Sequence, residues 1–152
     1  MRPGERTVSA SDPAQPEIAV SDRQEAPLDQ SALAHLAQTT LVAEGVGDAE
    51  LSVSFVTARE MADLHLRYLG EEGPTDVLSF PLDEEGEGES HRILGDVVIC
   101  PEYVRRNNPE LEAELRLLLV HGILHLLGYD HEEDEERAEM WARQERYSGV
   151  SV

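Results

Sequence analysis

Residues 117 to 127, LLLVHGILHLL, are apolar on every side of a helix yet carry two histidines. A helix with no polar face has to be buried, so this segment must run through the middle of whatever the chain folds into. Its start is signalled upstream, where Asn108 can cap, Pro109 suits the first helical position and Glu110 complements the positive end of the dipole. Gly128, free to adopt a left-handed conformation, marks its end.

His121 and His125 lie one turn apart on that helix, so their rings share a face and can hold one ion between them. Once Gly128 stops the helix the chain can double back and bring in His131 as a third ligand. A His-x3-His-x5-His set suits zinc, and three protein ligands leave the fourth tetrahedral position to water or substrate. Closed structural sites take four ligands and favour cysteine, so the open set predicts catalysis with a zinc-bound water held by the three histidines. Without an ion, three neutral imidazoles would each need two hydrogen-bond partners within one buried turn. Asp130 suits two roles equally: accepting a ring N–H behind a ligand, or capping the helix that follows. His35, His65 and His91 lack a spaced partner and read as ordinary residues. Zinc proteases with a His-Glu-x-x-His helix place their general base directly after the first ligand, and here that position is Gly122.

The rest of the chain supplies an α+β pattern. Strands are expected at 17–22, 50–57, 76–81 and 93–101. Helices are expected over 31–45, from the capping-box spacing of Thr57 and Glu60 to Tyr68, along the buried segment, and over 133–147, where Met140, Trp141, Gln144 and Tyr147 form one stripe. Residues 1–16 hold three prolines and no periodicity, which predicts a disordered tail. The expected organisation is that tail, a single compact domain over 17–148 with a small mixed β-sheet of about four strands around a buried central helix, and a short C-terminal tail at 149–152.

Charge bears on partners. The chain has 32 acidic and 12 basic residues, all of the latter arginine, for a formal net charge of −20. Such a surface repels nucleic acid at long range, although much of the acid is clustered at 83–89 and 132–136. One cysteine, Cys100, cannot form an internal disulfide, and neither a secretory leader nor a membrane-length apolar run is visible. These features predict a protein of the reducing cytoplasm.

HGILHLLGYDH, 121–131, matches at every fixed position the signature His-Gly-x-Leu-His-Leu-x-Gly-Tyr-Asp-His, and so resembles the YbeY family of bacterial endoribonucleases and ribosomal RNA maturation factors. PTDVLSFP at 74–81 and LGDVVIC at 94–100 resemble two further blocks of that family, in order, so the likeness spans roughly 17–147. The resemblance implies one zinc ion per chain on His121, His125 and His131. It also implies a single-strand-specific endoribonuclease that processes ribosomal RNA, notably the 3′ end of the small-subunit RNA, and takes part in ribosome quality control. Expected partners are ribosomal RNA and the small ribosomal subunit, with a ribosomal protein or an assembly GTPase to deliver the RNA, and no membrane. Many members carry Tyr-Arg before the PTDVLSFP-like block, where this chain has Tyr68-Leu69. Arg67 is the candidate substitute, although a one-residue shift on a helix turns a side chain by about 100°. Arg59, Arg92, Arg105 and Arg106 are candidate RNA contacts. Two other readings stay open: a zinc hydrolase of a non-RNA substrate such as a peptide, and a non-catalytic assembly factor with structural zinc.

Overall fold

A computed structural model describes residues 15–82, 91–130 and 132–150. Its elements are β1 (Glu17–Asp22), α1 (Gln30–Ala43), β2 (Ala49–Phe55), α2 (Ala58–Leu69), β3 (Val77–Pro81), β4 (Arg92–Ile99), α3 (Pro101–Asn107), α4 (Leu111–Leu126) and α5 (Asp134–Ser148). Residues 1–14 of the expected tail at 1–16, the acidic run at 83–89 and residues 151–152 of the expected C-terminal tail lie outside the described residues. No described helix is long and apolar enough to cross a membrane.

The four strands form one mixed sheet in the order β1-β2-β4-β3. β1, β2 and β4 are parallel, while β3 runs antiparallel to β4 at the edge. Parallel neighbours need a crossover connection, and α1 supplies the one between β1 and β2. Alternation in β2 decides the faces: Leu51, Val53 and Phe55 are buried against α1 and α4, and Ser52 and Ser54 point the other way. On the second face α2 lays Met61 and Leu64 over Leu78 and Val98. α5 closes the outside of α4 through Met140, packed with Val120 and Leu124. α4 is thus the buried central helix that its composition demands.

Local signals fare unevenly. Thr57 Oγ1 accepts from the Glu60 N–H at 3.1 Å, as the capping box requires, but the Glu60 carboxylate turns to Arg23 at 2.7 Å instead of completing the box. The expected start of the central helix is corrected. Asn108 Oδ1 accepts from the Glu110 N–H at 2.8 Å, an i to i+2 turn, and α4 begins only at Leu111. Asn108 instead follows α3, a fifth helix where four were expected. The fourth strand ends at Ile99, and Pro101 opens that helix with its fixed φ. The capping role for Asp130 is also overturned, because the residue before α5 is Glu133.

Candidate metal centre

One glycine lets the sheet and α4 come together. A Cβ at Gly122 would sit 2.8 Å from Val97 Cγ1 and 3.1 Å from Ser79 Oγ, so the helix rests almost directly on the sheet there. Ser79 Oγ uses that proximity to donate to the Gly122 carbonyl at 3.2 Å, tying the edge strand to the helix beside His121. At the position where zinc proteases carry their glutamate, a side chain would therefore have to displace Val97.

His121 and His125 are half-buried, with ring centroids 4.6 Å apart and planes 79° apart. His121 Nδ1 lies 2.7 Å from Gln144 Oε1, and Gln144 is only 3% exposed. An amide oxygen can only accept, so Nδ1 is the donor in this bond, and Nε2 is the nitrogen left to meet a metal. Gln144 sits on the α5 stripe expected from the sequence, but its role was legible only once α5 was folded against α4. Trp141 adds an edge-on ring 6.2 Å from His121. Two imidazoles one helical turn apart, one of them held by a hydrogen bond at Nδ1, fit a late first-row ion such as zinc. The third expected ligand, His131, lies outside the described residues; among those described, no group of three ligating side chains gathers.

Both histidines line a cleft of about 500 Å³, whose remaining walls are Tyr68, Leu69, the five residues of β3 and Leu126. Gly128 takes φ +102°, its N–H donates to the His125 carbonyl at 3.0 Å, and the Tyr129 N–H donates to the Leu124 carbonyl at 3.0 Å. That is a Schellman closure, with Tyr129 packed near Leu124 as such closures favour. Half-buried Asp130 follows directly.

The Tyr129 hydroxyl donates to Glu44 Oε1 at 2.6 Å, Arg143 Nη1 reaches Glu44 Oε2 at 2.6 Å, and the Tyr147 hydroxyl donates to the same carboxylate. Burial pushes the Glu44 carboxyl up, yet the bonds from Tyr129, Tyr147 and Arg143 outweigh it and hold it below the usual carboxylate range. The cluster braces the end of α1, the turn before His131 and α5 against one another. Glu44→Gln keeps the shape but loses the charge and turns an N–H toward the donors. It should destabilise the protein by about 2 kcal/mol in denaturant melts at neutral pH. Because the native carboxyl titrates low, its contribution is present above the usual carboxylate range and fades as pH falls, so the gap between variant and wild type should close in acid.

The five arginines are not brought together at the cleft. Arg67 adjoins the cleft residue Tyr68, with its guanidinium 5.9 Å from that ring's centroid and a 2.7 Å ion pair to Asp63. Leu69, at the position of the family arginine, lines the cleft. Arg92 lines a separate depression beside Glu44 and Tyr129. Arg106 pairs with Glu102 at 2.7 Å, and Arg59 and Arg105 lie on exposed positions of α2 and α3.

The remaining histidines have structural roles or stand exposed. His65 Nδ1 donates to the Gly73 carbonyl at 2.8 Å, and His35 is exposed on α1. His91 lies 2.7 Å from Asp48 and 2.7 Å from Glu50, one carboxylate per ring nitrogen, so both nitrogens donate and the ring is cationic. The two hydrogen bonds, Asp48's first, raise its pKa to about 8. Its contribution is complete below the ordinary histidine value and is lost as pH rises through about 8. An NMR titration should give a midpoint near 8 in the wild type and a lower one in Asp48→Asn.

The family model described as Endoribonuclease YbeY matches residues 14–149. A Parafrankia protein named Endoribonuclease YbeY is 50% identical over 129 residues, 76% of this chain and 81% of that one. The protein of that name from Thermobifida fusca is 48% identical over 137 residues, 84% of this chain and 88% of its own. With the namesake from Frankia casuarinae the identity is 50% over 127 residues, 75% of this chain but 63% of that relative's length. A Thermotoga maritima protein solved in solution has the same fold at a TM-score of 0.56 and 34% identity, over 86% of each chain. The chain belongs to the endoribonuclease YbeY family, a family of RNA-cleaving hydrolases.

Proposed function

We propose that this protein is a zinc-dependent endoribonuclease of the cytoplasm that cuts single-stranded ribosomal RNA, matures the 3′ end of the small-subunit RNA and serves ribosome quality control. His121, His125 and His131 hold one zinc ion per chain in this reading. The observation that carries it is the His121–His125 pair in the cleft wall, with Gln144 holding the proton on His121 Nδ1. Zinc supplies Lewis-acid stabilisation of negative charge on a phosphate oxygen.

The chain's own residues do the rest. Gln144 presents Nε2 of His121, and Ser79 fixes α4 against the cleft wall. Leu78, Phe80 and Leu126 line the cleft with apolar surface, which limits water and strengthens electrostatic interactions inside. In this reading Asp130, the residue next to His131 in the chain, orients that ligand by accepting a ring N–H. Arg67, at the cleft mouth, meets the RNA backbone, and Arg59, Arg92, Arg105 and Arg106 touch RNA only beyond the cleft. A net charge of −20 disfavours capture of free RNA, which supports delivery on the small ribosomal subunit by a ribosomal protein or an assembly GTPase. Gly122 argues against a peptide hydrolase, because the usual base is absent there and a Cβ would press on Val97.

A substrate panel tests the reading. One purified preparation is offered a single-stranded ribosomal RNA fragment, its duplex and an unstructured peptide. Cleavage of the single strand alone is expected; peptide hydrolysis, or particle binding with no cleavage of any RNA, overturns it.

A further inference from the structure

At the mouth of the cleft, Tyr68 leaves 57% of its surface to solvent and Leu69 leaves 56%, although both line the same cavity as His121 and His125. Single exposed apolar residues are ordinary, but these two lie together at the entrance to a histidine-lined cleft, and Leu82, 54% exposed, follows the last cleft residue of β3. The Tyr68 ring is also held in place. Phe80 meets it edge-on with centroids 5.3 Å apart, and the Arg67 guanidinium, fixed by Asp63, lies 5.9 Å from its centroid. A ring with most of its surface open and its orientation fixed is a platform, and the neighbouring guanidinium suits a phosphate.

We propose that Tyr68 is a positioning residue that stacks on one unpaired nucleobase of the RNA next to the scissile phosphate. This inference rests on the reading of the cleft as the RNA site. It accounts for two features together. A base inside a duplex hides its faces, so a stacking platform selects single strands, and stacking needs no net positive charge, so an acidic protein can hold RNA without a ring of arginines. With Arg67 the one candidate arginine adjoining the cleft lining, the salt dependence of binding should be shallow, a log–log slope of roughly −0.7 for one phosphate contact on a single strand.

The test compares steady-state cleavage of a single-stranded ribosomal RNA fragment by the full-length, metal-loaded wild type and by Tyr68→Ala, Tyr68→Leu, Tyr68→Phe and Tyr68→Trp. Stacking worth about 1–3 kcal/mol per base corresponds to about a 5- to 150-fold rise in KM for Tyr68→Ala and Tyr68→Leu, with kcat far less affected. Tyr68→Phe and Tyr68→Trp should keep a KM near wild type, and an abasic site at the stacked nucleotide should raise KM for wild type but not for Tyr68→Ala. Equal KM for wild type, Tyr68→Ala and Tyr68→Leu overturns the stacking role alone. If the wild type cuts no RNA, the reading of the cleft falls and the inference falls with it.

Discussion

His121→Ala should lose stoichiometric zinc and lower kcat/KM for RNA by about a thousandfold or more. Removing an ion that contributes several kcal/mol of transition-state stabilisation has that effect, since each 1.4 kcal/mol or so is tenfold. The variant also leaves the buried Gln144 amide without its ring partner, which costs about 1–3 kcal/mol of stability. Loss of activity must therefore be separated from loss of fold. His121→Gln serves as the control, and melting curves for both should remain cooperative. Zinc content measured by elemental analysis beside the cleavage rate decides the matter: the two should fall together, and a zinc-free variant that cuts RNA at the wild-type rate would sink the assignment.

Gly95→Ala should destabilise the protein by more than about 3 kcal/mol. Gly95 has φ +131°, a region that essentially only glycine occupies, and forcing another residue there costs about 1–3 kcal/mol. A Cβ would in addition lie 2.2 Å from the Phe80 carbonyl oxygen and 3.0 Å from the Leu82 nitrogen, both backbone atoms that cannot step aside. The strain belongs to an irregularity in the sheet. Glu50 pairs with Ile93 but Leu51 pairs with Gly95, and the skipped Leu94 turns into the core. Because Gly95 lies opposite Pro81 in the cleft wall, relief of the overlap would push β3 outward. Chemical denaturation should show a large fall in midpoint, with cleavage falling at temperatures where the variant is still folded. A variant as stable as wild type would contradict the packing described for the β3–β4 pair.

The parts of this fold that were legible in the sequence are those set by short-range rules. α4 announced itself because no polar stripe runs along it. The histidine pair followed from a spacing of four on a helix, and β2 from the alternation of Leu51, Val53 and Phe55. α3 escaped because Pro101 reads as well for the end of a strand as for the first turn of a helix, and Asn108 and Pro109 mimic a cap that the chain uses as a two-residue turn. Long-range partners escaped for a different reason. The bond from His121 to Gln144 spans 23 positions, and the contacts of Glu44 with Tyr129, Arg143 and Tyr147 span 85 to 103. Nothing local marks Glu44 as special. A carboxylate at the C-terminal end of a helix opposes the dipole, and only the three donors brought by α5 and the Schellman turn make it favourable. Nor does the sequence reveal the ion pairs that two of the arginines make, Arg67 with Asp63 and Arg106 with Glu102, because which acid an arginine meets depends on the fold.

The most direct test of a zinc-dependent ribonuclease is made on the wild type. Its metal content and its cleavage of a precursor small-subunit 3′-end fragment are measured as purified, after chelation, and after zinc is restored. The account predicts one zinc per chain, cleavage lost with the metal and recovered with it. Full cleavage by zinc-free protein, or stoichiometric zinc with no cleavage even when ribosomal particles are supplied, would contradict it.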